Sequence, residues 1–211
     1  MATRKLTFSP VTRDLWDDFC SLFSQAGVQN GCWCMYWRIR RTEFQRQYGH
    51  VNKKAMKRLI VSGVIPGILA FHEGSAVGWC SVASREDFPV LDRSPVLKRI
   101  DKKPVWSITC FFISKNYRHG NMMRSLIQAS VRYAKQQGAK IIEAYPIRPE
   151  RIHDPRPEMY RGTVSIFSRV GFVIAAQRTR TRPIMRYYVD KKKATSENAV
   201  PKTSGTDVKK K

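Results

Sequence analysis

Residues 111–127 read Phe-Phe-Ile-Ser-Lys-Asn-Tyr-Arg-His-Gly-Asn-Met-Met-Arg-Ser-Leu-Ile, an apolar run joined to an amphipathic one by a short basic turn. A helix that starts just after such a turn presents unpaired backbone N–H groups and a partial positive charge, which together cradle phosphate. Arg118 and His119 add donors in the turn, Arg124 adds charge one turn into the helix, and Gly120 lets a ligand approach the backbone closely. The plainer reading is an ordinary strand-to-helix connection with surface arginines. Cysteines offer a second kind of chemistry. Cys110 lies inside the apolar run, where a thiol is usually inert core. Cys32 and Cys34 have no second pair at zinc-ligand spacing, although His50 lies downstream, so no metal is expected.

These residues need elements to position them, and the pattern along the chain is mixed α/β. Residues 5–11 read as a strand and 14–23 as a helix with Leu15, Phe19, Leu22 and Phe23 on one side. The stretch 31–37, Gly-Cys-Trp-Cys-Met-Tyr-Trp, follows. Asn52 is a candidate cap for a helix to about Ser62, with Gly63 ending it. Residues 68–71 and 76–82 read as strands joined at Glu73-Gly74, and 84–104 as a charged, proline-bearing surface excursion. The run 105–113 suits a buried central strand. A helix over about 120–137, a strand over 139–147, a loop over 148–157 and a short helix over 163–170 ended by Gly171 come next. Strands over 172–178 and 183–189 complete the pattern.

At the turn the chain resembles the GNAT N-acetyltransferase superfamily, whose pyrophosphate loop reads Arg/Gln-x-x-Gly-x-Gly/Ala. Tyr117, Arg118 and Leu126 align with the family's Tyr-Arg and helix leucine without a gap. Asn121 stands where the first glycine is usual and Met123 where Gly or Ala is usual, so two of three signature positions depart. Asparagine tolerates positive φ and is the expected substitute for that glycine. Residues 160–172, Tyr-Arg-Gly-Thr-Val-Ser-Ile-Phe-Ser-Arg-Val-Gly-Phe, resemble the family's later helix, with Ile166, Gly171 and Phe172 in register. The resemblance runs from about residue 5 to 189 and implies the GNAT acyl-CoA N-acyltransferase fold, a central mixed β-sheet flanked by helices.

It also implies a site. The pantetheine arm of acetyl-CoA would lie on the backbone of Phe111, Phe112 and Ile113. Its pyrophosphate would lie on Arg118 and on the backbone N–H groups of His119, Gly120, Asn121, Met122, Met123, Arg124 and Ser125. An amine then attacks the thioester directly, which requires positioning and removal of a proton. Many members protonate the leaving thiolate with a late-helix tyrosine. Here that position is Phe167, leaving Tyr160 as the substitute acid or a rim tyrosine. The usual base is a central-strand carboxylate, which the run 105–113 lacks. Glu143 is the best-placed carboxylate, read either as the base or as the partner of an arginine, with Glu86 and Asp87 in reserve. Trp33, Met35, Tyr36 and Trp37 either wall the acceptor pocket or pack as core.

Composition bounds the rest. The chain has 211 residues, 42% of them hydrophobic, enough for one domain, assigned to residues 4–189, with a basic, disordered tail over 190–211. Net charge is +23, of which the tail carries +4, so the body itself attracts polyanions. No apolar stretch approaches the ~20 residues of a membrane span. Residues 1–8 lack a signal-peptide centre, and five cysteines cannot all pair, so a reducing cytoplasm is expected. The lead function is an acyl-CoA-dependent N-acetyltransferase acting on a small-molecule or protein amine, with acetyl-CoA as co-substrate. The rival is a basic GNAT-like module that binds nucleic acid or ribosomes with catalysis secondary or lost.

Overall fold

The computed structural model describes residues 6–25, 31–118 and 120–190. Seven strands make one sheet: β1 (Leu6–Pro10), β2 (Gly67–His72), β3 (Ser75–Ser84), β4 (Trp106–Ile113), β5 (Ile141–Ala144), β6 (Val173–Gln177) and β7 (Pro183–Tyr188). Their order is β1-β2-β3-β4-β5-β7-β6, antiparallel throughout except for β4 and β5. Parallel neighbours need a crossover. The helix between them supplies it, and the others are numbered with it in chain order: α1 (Trp16–Phe23), α2 (Arg41–Arg46), α3 (His50–Val61), α4 (Pro89–Arg93), α5 (Met122–Gln136) and α6 (Val164–Val170).

The two faces of the sheet are covered differently. On one, α5 buries Leu126, Ile127, Ser130, Val131 and Ala134, a stripe at helical spacing, against Ile108, Phe111 and Ile113 of β4. On the other, α1 buries Trp16, Phe19, Leu22 and Phe23, and residues 32–36 with α3 pack around Trp79. Strand β4 serves both faces by the alternation of its side chains, and a bulge opposite Ser81 and Val82 leaves Thr109 without a partner on β3.

Several expectations need correction. Asn52 is no cap: α3 begins at His50, and the Asn52 side chain donates to the Gly31 carbonyl at 3.0 Å, tying helix to loop. The excursion after β3 is not superficial, since Phe88, Leu91 and Leu97 form a third core cluster with Trp37, Ala83, Tyr145 and Ile184. Helix α2 carried no signal in the pattern. Strand β5 stops at Ala144, short of the expected 147. The turn at Glu73 and Gly74 forms as expected, with φ of 50° and 76°. Thr163 caps α6 by accepting the Ile166 N–H, and Gly171 closes it at φ 102°. The tail assigned to 190–211 lies outside the described residues beyond Asp190.

Candidate active site

The geometry begins where β4 and β5 part. They pair only at Trp106↔Ile142, Ser107↔Glu143 and Ile108↔Ala144. Beyond Ile108, β4 continues for five residues while β5 turns away, and Ile147 pairs instead with Thr163. Residues 109–113 thus keep a backbone edge free of β5, a natural rail for an extended ligand with amide groups. The Thr109 hydroxyl, on a residue only 4% exposed, has no hydrogen-bond partner in this structure. Phe111 points its ring toward Phe167, with centroids 6.1 Å apart, and Phe112 toward Phe23 at 5.8 Å, so these side chains pack the two cores and only their backbone faces the rail.

The rail leads into the basic turn. A 3-10 helix over Lys115–Tyr117 precedes α5. The left-handed residue is Gly120 at φ 115°, whereas Asn121 sits at φ −91°; the glycine one place earlier performs the role expected of the asparagine. Space beside the Gly120 Cα is open. The Ser125 N–H is given to the Asn121 carbonyl at 2.9 Å, so Ser125 closes the first turn rather than offering a donor. Met122, Met123 and Arg124 supply the open N–H groups of that turn. Arg118 is exposed, and its Nε donates to the Ile113 carbonyl at 3.0 Å, fixing the guanidinium over the end of the rail. His119 lies outside the described residues. Met123 turns its sulfur toward Gly162, not outward into solvent.

Gly162 borders the same region. It has φ 72° and ψ 174°, a combination essentially confined to glycine, and a Cβ there would come 3.1 Å from Phe167 and 3.2 Å from the Met123 sulfur. Tyr160 is half-buried on the 3-10 helix Arg156–Arg161, ahead of α6 rather than on it, with the Arg161 guanidinium 5.1 Å from its ring. Arg161 also lies 4.8 Å over Trp37, which joins this segment to the aromatic loop. Trp33 stacks on Phe23 and lies under Lys53, while Trp37 is buried; both pack.

Glu143 stands at the closed end of the β4–β5 pair, 1% exposed. Its Oε2 accepts from Arg85 Nη1 at 2.8 Å and from the Tyr145 hydroxyl at 2.9 Å, and its Oε1 from Arg186 Nε at 2.9 Å. Arg186 also bonds Asp101, and Arg85 bonds Asp92 and the Leu97 carbonyl. Burial works against the charge on Arg186, but the hydrogen bonds to Asp101 and Glu143 hold its pKa above the usual value. Burial and the adjacent Glu143 carboxylate push the Tyr145 phenol well up. Both Glu143 oxygens are spent on these partners, in place of the open oxygen expected of a base. The reserve Glu86 is exposed and engaged by Ser84 and Arg99. Thr109, Gly162 and Arg85 carry no motif of their own; the one usable sign is that Gly162 directly precedes the helix-capping Thr163.

Solved structures share this architecture. PaiA N-acetyltransferase from Thermoplasma acidophilum, in complex with coenzyme A, is 13% identical, with TM-score 0.50 over 87% of this chain and 99% of that one. A GNAT-family acetyltransferase from Listeria monocytogenes gives 10% and 0.53 over 87% and 95%, and polyamine N-acetyltransferase from Drosophila melanogaster 9% and 0.52 over 88% and 100%. The fold is therefore that of an acetyltransferase. No match was found among curated proteins. The model of the Acetyltransferase (GNAT) family matches residues 16–152, about two thirds of the sequence, and the chain belongs to that family. It is an enzyme, and its acyl donor is acetyl-CoA. The match ends before Tyr160 and Phe167. Among the described residues no group of His, Cys, Asp and Glu could hold a metal, and no helix is long and apolar enough to cross a membrane.

Proposed function

We propose that this acetyltransferase transfers the acetyl group of acetyl-CoA to an amine by direct attack. The pyrophosphate would be held by Arg118, the space beside Gly120 and the N–H groups of Met122, Met123 and Arg124. The pantetheine arm would run along the edge of residues 109–113, placing the thioester near Thr109 and Cys110. The observation that carries this reading is the unpaired edge of β4 leading straight into the N-terminus of α5, because phosphate and amide groups then find donors along one line. The residues present fit the group: the lone Thr109 hydroxyl and the open space at Gly120 both await a partner. The acceptor amine comes from the face covered by α1 and residues 31–37. Glu143 organises the sheet beneath the site rather than touching substrate, and Phe167 fixes the wall between Phe111 and Gly162.

Calorimetric titration with acetyl-CoA tests the donor site, and thiol release across a panel of small-molecule and peptide amines identifies the acceptor. Absence of acetyl-CoA binding would remove the reading. The basic body supports a second property, polyanion binding in a cytoplasmic setting. Helix α3 carries Lys53, Lys54, Lys57 and Arg58 with no acid, and three of these line a surface hollow. Charge reversal at Lys54 and Lys57 should then shorten heparin retention while leaving acetyl-CoA affinity unchanged.

A further inference from the structure

Arg85 and Arg186 show how this fold treats a buried guanidinium: each bonds two carboxylates, Asp92 with Glu143 and Asp101 with Glu143. Arg38 is buried too, 9% exposed, and is treated differently. Its one side-chain hydrogen bond among the described residues runs from Nη2 to the Pro66 carbonyl at 3.2 Å, and no carboxylate there comes within ion-pair distance. Its Nε is buried with no partner. The guanidinium lies 4.5 Å over the Phe88 ring, which fixes its plane. Burial lowers the pKa of Arg38, and the charges of Asp87 and then Cys34 offset only part of this. A guanidinium nonetheless stays charged at neutral pH. A buried charge with unmet donors costs free energy until an acceptor arrives.

Arg38 forms part of the wall of a hollow of about 480 Å³ between residues 35–39, α3 and the 3-10 turn Arg85–Asp87. Small-molecule sites commonly run to about 300–1,000 Å³. Arg58, exposed on α3, supplies a second guanidinium, and Met35, Ile39 and Leu59 supply apolar surface. Asp87 lines the hollow as well, half-buried and with no ion pair among the described residues. Two positive charges therefore face one negative charge. A single carboxylate neutralises that balance, whereas a doubly charged anion would bring excess charge against Asp87. The planar fork of a guanidinium also matches a carboxylate in shape. The hollow is separate from the donor rail. Ser81, paired in register with Cys110, donates to the same Pro66 carbonyl at 3.5 Å, so the hollow lies across β3 from the open half of β4.

We propose that this hollow is a binding site for a small monocarboxylate with an apolar body, its carboxylate held by Arg38 and Arg58. Met35, Ile39 and Leu59 cover the apolar body, and Asp87 turns away doubly charged anions. Binding here needs neither acetyl-CoA nor the direct-attack reading.

The test is a ligand-observed NMR titration of the full chain without acetyl-CoA, with 4-methylpentanoate as probe and 4-methylpentanamide as uncharged control. The acid should bind with a dissociation constant on the order of 1 mM or tighter, and the amide should not saturate. Arg38→Met should weaken the acid at least ~10-fold, the scale of a lost charge-assisted hydrogen bond. The melting temperature of that variant should hold or rise, because an apolar side chain relieves an unmatched buried charge. Should Arg38→Met not fold, Arg58→Glu on the exposed wall decides instead, with a similar loss of binding and unchanged melting. Asp87→Asn should strengthen the acid and admit inorganic phosphate, which the unsubstituted protein rejects. Failure of the acid to saturate overturns the site, as does equal binding of the amide or full affinity in Arg38→Met or Arg58→Glu. Tighter binding of phosphate than of the acid to the unsubstituted protein overturns the ligand class.

Discussion

The two halves of β4 share a sheet partner on one side and differ completely on the other. From Trp106 to Ile108 the strand is zipped to β5, and the polar groups there, Ser107, Glu143, Tyr145, Arg85 and Arg186, satisfy one another. From residue 109 onward β5 is gone, and the strand keeps an unmatched backbone edge and an unmatched threonine hydroxyl. A completed polar network gives rigidity and no reactivity. An incomplete one beside it gives a place where a ligand supplies the missing bonds. The closed half anchors β4 so that the open half can stay open without collapsing.

Glu143→Ala should have the largest effect, because it strands two buried guanidiniums. Removing one partner of a buried ion pair costs ~3–5 kcal/mol. Urea denaturation measures it. If the folded fraction still binds acetyl-CoA normally, the division between the halves holds; an intact stability with lost turnover would return Glu143 to the chemistry. Gly162→Ala comes next, at about 1–3 kcal/mol from its φ and ψ, with tight contacts to Phe167 and Met123 adding to it. Thermal melting reads the change.

Arg118→Glu should leave melting unchanged and weaken acetyl-CoA binding at least about tenfold, or ~1.4 kcal/mol, since a phosphate contact becomes repulsion. Arg118→Lys should lose less. The smallest effect concerns pH. The hydrogen bond from Arg186 holds the Asp101 carboxyl below its usual range. A depressed carboxylate stabilises the fold above its unfolded value, near 4, and loses that contribution as pH falls through the folded value. Melting temperature should therefore drop on acidification below about pH 4, and Asp101→Asn should flatten part of that drop while slightly lowering the plateau.

Local features were legible in the sequence because they depend on neighbours along the chain. The apolar run of β4, the turn at Glu73 and Gly74, the stripe of α5 and the stop of α6 at Gly171 all fall where pattern and glycine placement put them. Glu143 stayed open between base and arginine partner in the sequence because Arg85 and Arg186 lie 58 and 43 residues away, and a central-strand carboxylate reads the same with or without them. The hydrogen bond from Trp79 to the Cys34 sulfur spans 45 residues and comes with a backbone conformation that tryptophan and cysteine rarely adopt, at Trp33 and Cys34. Residues 84–104 read as surface because their charges outnumber their apolar residues, yet Phe88, Leu91 and Leu97 enter the core.

The bulge at Thr109 acts as a change of parity. In an unbroken strand, residues an odd number apart face opposite sides. Ile108 and Phe111 are three apart yet share the α5 side, while Ser107 and Cys110 share the other. One extra residue lets the zipped half and the open half each be read with its own odd-even count. Deleting Thr109 would restore a single count in which Phe111 and Ile113 still face α5 and Cys110 and Phe112 still face α1. The residue therefore adds nothing to the contents of either core; it is a spacer that lets both halves keep their faces while carrying the one unmatched hydroxyl.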